Sequence, residues 1–236
     1  MSEKLLPLET EQISLKEAYV EALFASGAVK IAPDGEHKFK MRNGGESWIY
    51  IDHGDTICSP ETNKPFIAVL IHECDKLGTA ENSAIVNIDS KSSPQTTGAI
   101  AAMAGYKQIA VLPDQVQQAE KGTKRKLRIP KNLDGVKQLI FIDDVMTSGE
   151  TVIEVAKLVR EELVKIIGQE KASDIQFHLV VGLARNPKKA VQRLKEAGIE
   201  SHWTVELNEI IKKMWSRLTS AQQEGLAKEI PDLQLS

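Results

Sequence analysis

The sequence predicts an α/β fold, a single domain with a mostly parallel sheet flanked by helices. Three observations point that way. Apolar runs of strand length at residues 83–88, 108–112, 139–142 and 175–183 alternate with segments whose apolar residues recur at helical spacing. Several of these runs end in polar or charged clusters, which is where open parallel sheets hold ligands. No internal repeat, low-complexity segment or Pro/Gly/Ser linker divides the 236 residues, a length that suits one large domain.

The N-terminal region follows a different pattern. Ser14-Leu15-Lys16-Glu17 reads as a capping box, and Ala18, Leu23 and Phe24 carry a helical stripe that predicts a helix over 15–26, stopped at Gly27. Residues 29–31, 38–42 and 47–52 read as short strands around turns at Pro33-Asp34-Gly35 and Asn43-Gly44-Gly45. A helix is then expected over 61–77, a buried strand over 83–88, a loop from Asp89 to Pro94 and a helix over 95–104. After the strand at 108–112, residues 113–128 form a polar stretch of the length that functional loops have, rich in Lys and Arg. The apolar stripe of Val152, Val155, Ala156, Val159 and Leu163 predicts a helix, followed by a strand at 175–183, a helix at 187–197, a strand at 199–205 and terminal helices at 207–218 and 221–230.

Composition acts mainly by exclusion. A formal net charge of −3 gives no reason to expect nucleic-acid binding, and no segment approaches the roughly 18 apolar residues of a membrane span. Cys58 and Cys74 are too few for a disulfide framework and read as free thiols of a cytoplasmic protein. His37, His53, His72, His178 and His202 are scattered along the chain, which argues against a dedicated zinc site.

The most informative stretch is Leu139-Ile140-Phe141-Ile142-Asp143-Asp144-Val145-Met146-Thr147-Ser148-Gly149-Glu150-Thr151. Four apolar residues make a buried strand, two carboxylates close it, and a Thr-Ser-Gly-x-Thr turn leads into a helix. The N–H groups and positive end of that helix attract a phosphate, Gly149 admits close backbone approach, and three hydroxyls add donors. Two carboxylates beside a phosphate need an offset, which a sugar diol or a bound Mg²⁺ supplies. The expected ligand is therefore a phosphorylated sugar carrying a diol, with a metal.

This stretch resembles the signature of the type I phosphoribosyltransferases at every position, and most of the chain is similar to orotate phosphoribosyltransferases. The resemblance implies a small hood, built mostly from residues 1–55, and an enzyme that transfers phosphoribosyl from phosphoribosyl pyrophosphate (PRPP) to orotate. The products would be orotidine 5′-phosphate and pyrophosphate, a step of pyrimidine (UMP) biosynthesis. It implies that Asp143 and Asp144 hold the ribose hydroxyls, with Mg²⁺ carried by PRPP near them rather than held firmly by protein. Thr147, Ser148, Gly149, Glu150 and Thr151 would hold the 5-phosphate, with Val145 and Met146 also among the PRPP-binding residues.

Lys91 matches the pyrophosphate loop, although Ser90 and Ser92 replace its Tyr and Gly. Arg42, Tyr50, Ile51, Thr147 and Arg185 match positions that face the base; Arg42 stands where the family usually has Lys, and Ala184 replaces an Asp. In the family a mobile loop with Arg-Lys, a further Lys and a His reaches across a homodimer. Residues 113–128 contain no His, and Lys121 and Lys124 are the candidate cations. That departure leaves open two alternatives, a non-catalytic PRPP or nucleotide sensor and a transferase for another base.

Overall fold

The computed structural model describes residues 11–33, 38–41, 45–88, 92–113, 125–130, 132–230 and 233. The chain divides into two compact units, one of residues 70–204 and one that joins residues 1–69 to 205–236.

The unit of residues 70–204 contains the parallel sheet. Its strands are β5 (Ser83–Asn87), β6 (Lys107–Pro113), β7 (Arg125–Arg128), β8 (Gln138–Met146), β9 (Gln176–Ala184) and β10 (Ile199–Glu206), the last ending just beyond the unit, in the order β10-β9-β8-β5-β6-β7. Pairs β5/β6, β5/β8 and β8/β9 are parallel, and β6/β7 is antiparallel. This agrees with the mostly parallel α/β fold expected from the apolar runs. Strands β5 and β9 are buried almost throughout, because helices cover both faces of a parallel sheet. The helices of this unit are α4 (Ser93–Ala104), α5 (Glu150–Ile167), α6 (Gln169–Ser173) and α7 (Pro187–Glu196). Val152, Val155, Val159 and Leu163 of α5 pack with Phe141, Phe177, Leu179 and Leu194 in one core.

Three elements of this unit differ from the sequence expectation. Strand β8 does not stop at Ile142 but runs through both acids to Met146, because β9 keeps pairing with it as far as Met146 opposite Ala184. Part of the polar stretch is strand β7, whose Leu127 lies opposite Val111 while its neighbours Lys126 and Arg128 are exposed. Charge on the outward face hid the two-residue period, and such charges also protect an edge strand. The short helix α6 was not anticipated.

The other unit holds α1 (Glu11–Ala25), β1 (Val29–Ile31), β2 (Phe39–Lys40), β3 (Glu46–Ser47), β4 (Ile49–Ile51) and α2 (His53–Thr56). Helix α3 (Pro60–Leu77) starts in this unit, and α8 (Leu207–Met214), a 3₁₀ turn at Trp215–Arg217 and α9 (Ser220–Glu229) complete it. Helix α1 begins before Ser14, so the expected capping box lies inside the helix. Glu11 and Gln12 are good helix formers and extend it upstream. Strands β1 and β4 pair antiparallel, as do β2 and β3.

Tyr19 stacks on Phe66 with ring centroids 5.5 Å apart, and its hydroxyl meets His53 Nε2 at 2.7 Å. Helix α9 closes against the β3–β4 region. Glu229 accepts from the Trp48 backbone N–H at 2.7 Å, and Gln222 Nε2 donates to the Ala32 carbonyl at 2.9 Å. A Cβ on Gly225 would lie 2.2 Å from the Trp48 ring, so only glycine lets the helix approach this closely.

Candidate functional site

The site is built where β5 ends and β8 continues. The last β5/β8 pair is Asn87 opposite Ile142, after which Asp143 and Asp144 extend past β5 on a strand still held by β9. Asp143 and Asp144 thus stand at the carboxyl end of a central strand, the position where open α/β sheets take ligands. Successive residues of a strand point to opposite faces, so the two half-buried acids leave β8 on different sides.

Both carboxylates are held locally. Asp143 Oδ1 accepts from the Asp144 N–H at 3.0 Å, and Asp144 Oδ1 accepts from the Val145 N–H at 2.7 Å. The second oxygen of Asp144 accepts from Ser92 Oγ at 2.6 Å. Next to it, Ser93 Oγ donates to the Ile142 carbonyl at 2.6 Å and accepts from the Ile88 N–H at 2.9 Å. Asn87 bridges to β6, donating to the Val111 carbonyl at 2.8 Å and accepting from the Val111 N–H at 2.9 Å. These buried polar groups are satisfied in pairs, which fixes the start of α4 to the end of β8.

In the sequence Ser92 reads only as the loss of a glycine, and no motif marks Ser93 or Asn87. The available clue was three small polar residues, Asn87, Ser92 and Ser93, flanking an otherwise apolar strand end.

After Met146 the chain turns through Thr147, Ser148 and Gly149 into α5. Gly149 has φ +75°, and an added Cβ would sit 3.0 Å from Leu194 of α7, so this position needs glycine on two counts. Helix α5 starts at Glu150 after an N-cap glycine that has no side chain to cap it; the Glu150 N–H donates to Ser148 Oγ at 3.5 Å, and the positive end of the helix faces the turn. The Glu150 carboxylate turns to Arg193 Nη1 at 2.6 Å. Thr147 is exposed and Ser148 and Thr151 are half-buried, which leaves their hydroxyls within reach of solvent at the helix start.

Arg185 follows β9 directly, and its N–H donates to the Met146 carbonyl at 2.9 Å. The structure therefore brings Asp143, Asp144, the 147–151 turn and Arg185 to neighbouring strand ends. Tyr50 and Ile51 lie on β4 in the other unit; Tyr50 is half-buried beside Phe39 with ring centroids 5.8 Å apart, and Ile51 is buried. Arg42, Lys91, Lys121 and Lys124 fall outside the described residues.

Cys58 and Cys74 are free thiols, and burial pushes the Cys74 thiol far above its ordinary range, which leaves it inert. Among the described residues no helix is long and apolar enough to cross a membrane.

No protein-family model matches the chain, and no curated protein matches it in sequence. Solved structures do match. An orotate phosphoribosyltransferase from Aeropyrum pernix is similar over 84% of this chain and 98% of its own, with TM-score 0.59 and 18% identity. The UMP synthase of Leishmania donovani is similar over 94% of this chain with TM-score 0.64 and 18% identity, and the match spans 43% of that longer protein. An adenine phosphoribosyltransferase from Trypanosoma brucei is similar over 88% of this chain and 84% of its own, with TM-score 0.51 and 14% identity.

Proposed function

We propose that this chain, which has the phosphoribosyltransferase fold of those solved structures, is an orotate phosphoribosyltransferase. One observation carries the reading: two locally held carboxylates at the end of β8 stand one turn before a helix start that is left open by glycine. Carboxylates accept from a sugar diol, and an uncapped helix start takes a phosphate. A 5-phosphorylated ribose presents both groups on one molecule.

In this reading the Ser92 and Val145 donors orient Asp144 before the ligand arrives, so less rotamer freedom is lost on binding. The Glu150–Arg193 pair keeps the Glu150 charge turned away from the phosphate. Arg185 at the end of β9 supplies a planar cation for the carboxylate of orotate, a feature that purines lack. All-oxygen donors at Asp143 and Asp144 suit Mg²⁺ chemistry, and the ion, brought with PRPP, would neutralise the departing pyrophosphate. Lys91, Lys121 and Lys124 are the proposed cations on the pyrophosphate side, with Arg42, Tyr50 and Ile51 toward the base. A homodimer sharing the site fits the family resemblance.

A second reading, a PRPP sensor without turnover, is favoured by one observation: residues 113–128 hold no histidine, and Asp114-Gln115 and Gln117-Gln118 stand near where the family has its Arg-Lys and further Lys. Pyrophosphate release from PRPP and Mg²⁺ separates the possibilities. Release with orotate alone supports the proposal, release with another base changes the acceptor, and PRPP binding without release under any base leaves the sensor. Arg185→Ala is expected to weaken orotate use selectively, and unchanged orotate use would overturn that role.

A further inference from the structure

Away from the end of β8, two histidines that are far apart in sequence meet across neighbouring strands. His178 lies near the start of β9, in register with Ile140, so it is three residues from the Asp143 level and about 10 Å lower along the strands. His202 and Glu200 lie on β10, two residues apart and hence on one face.

We propose that His178, Glu200 and His202 form a binding site for a borderline divalent cation of the zinc type, unrelated to any Mg²⁺ that travels with PRPP. His178 Nδ1 and His202 Nε2 are 3.3 Å apart. Two nitrogens bound at about 2.0–2.1 Å to one tetrahedral ion stand about 3.3–3.4 Å apart, so the pair already has the edge length of that polyhedron. Glu200 Oε2 lies 3.7 Å from His178 Nδ1, and one ligand atom from each of the three residues falls within 4.8 Å of the others. The Glu200 side chain is 75% exposed, so a small rotation closes the remaining gap without moving the backbone.

The surroundings suit an ion of this kind. Burial is the main cause that holds both rings below the ordinary imidazole value of 6.5, which leaves neutral nitrogens with lone pairs to donate. Lys76 on α3, a cation whose charge reaches His202, is paired with Glu73 at 2.9 Å. A groove of about 350 Å³ reaches His178 and Glu200 from solvent and gives an entry path. Two nitrogens and one oxygen favour zinc over magnesium, which takes oxygen ligands and keeps its water. The fourth position is left to water. An ion there would cross-link β9 to the end strand β10.

The test uses the full chain, stripped with a chelator and titrated with Zn²⁺ against a chromophoric competitor, then with Co²⁺ read by visible absorption. The expected result is one tight Zn²⁺ per chain, a Co²⁺ spectrum of tetrahedral intensity, and a rise in Tm on adding Zn²⁺. His202→Gln and Glu200→Gln, both at solvent-accessible positions, are expected to lower Zn²⁺ affinity about tenfold or more. The double variant Asp143→Asn/Asp144→Asn is expected to keep the ion. The proposal is overturned if the wild type binds no Zn²⁺ beyond the level of His202→Gln, leaving a neutral imidazole pair only. It is equally overturned if the Asp143→Asn/Asp144→Asn chain loses the ion.

Discussion

Two pairs of like groups sit in the same sheet and reach it by opposite routes. Asp143 and Asp144 are consecutive in the chain, and each is held by N–H donors of its own strand and, for Asp144, by a serine at the start of α4. His178 and His202 are 24 residues apart and are brought to 3.3 Å only because β9 and β10 are neighbours. The acids owe their position to local backbone and the imidazoles to tertiary register. A ligand site of the first kind survives drift elsewhere in the fold, whereas one of the second kind depends on a single strand pairing.

That contrast can be broken at four places. Asp144→Asn removes a charge from the proposed ribose grip, and a hydrogen bond to a charged group is worth about 1.5–3 kcal/mol. PRPP affinity is therefore expected to fall about 10- to 100-fold with Tm little changed, as read by calorimetric titration and a thermal melt. Gly149→Ala forces a side chain into left-handed backbone against Leu194 and is expected to cost about 2 kcal/mol of stability and to weaken phosphate binding. Denaturant unfolding gives the first quantity and PRPP titration the second; a neutral effect on both would remove the turn from the argument.

Ser92→Ala leaves Asp144 in place but unsupported on one oxygen, and about 1 kcal/mol, or roughly fivefold in PRPP affinity, is expected. The smallest effect is at the imidazoles of chelator-treated protein. Both have pKa values lowered by burial, so the unfolded chain binds protons more readily than the folded one below about pH 6.5. Stability is therefore fully present above that pH and declines as pH falls through it, and His202→Gln is expected to flatten this acid limb in Tm measured against pH.

The same contrast explains what the sequence made legible. Strand β8 and its turn could be read because period, acids, hydroxyls and glycine fall within thirteen consecutive residues. The continuation of β8 to Met146 could not, since it depends on a partner strand that outlasts β5 on the other side. Strand β7 was hidden for a related reason: at an edge its polar face outweighs a single inward leucine. Ser92 and Ser93 looked like loop residues until their acceptors on β8 were placed beside them. The five histidines looked scattered, because spacing along a chain carries no information about which strands end up adjacent.

The closure of α9 on Trp48 bears on how the molecule is made. One unit is assembled from two stretches with all of residues 70–204 between them, and its last helix packs where Gly225 leaves no room for even a methyl group. At about 5–20 residues per second of synthesis, the N-terminal elements spend on the order of ten seconds on the ribosome without the helices that complete them, while the continuous unit can already fold. During that interval Trp48 and its neighbours are the surface that a chaperone would have to shield.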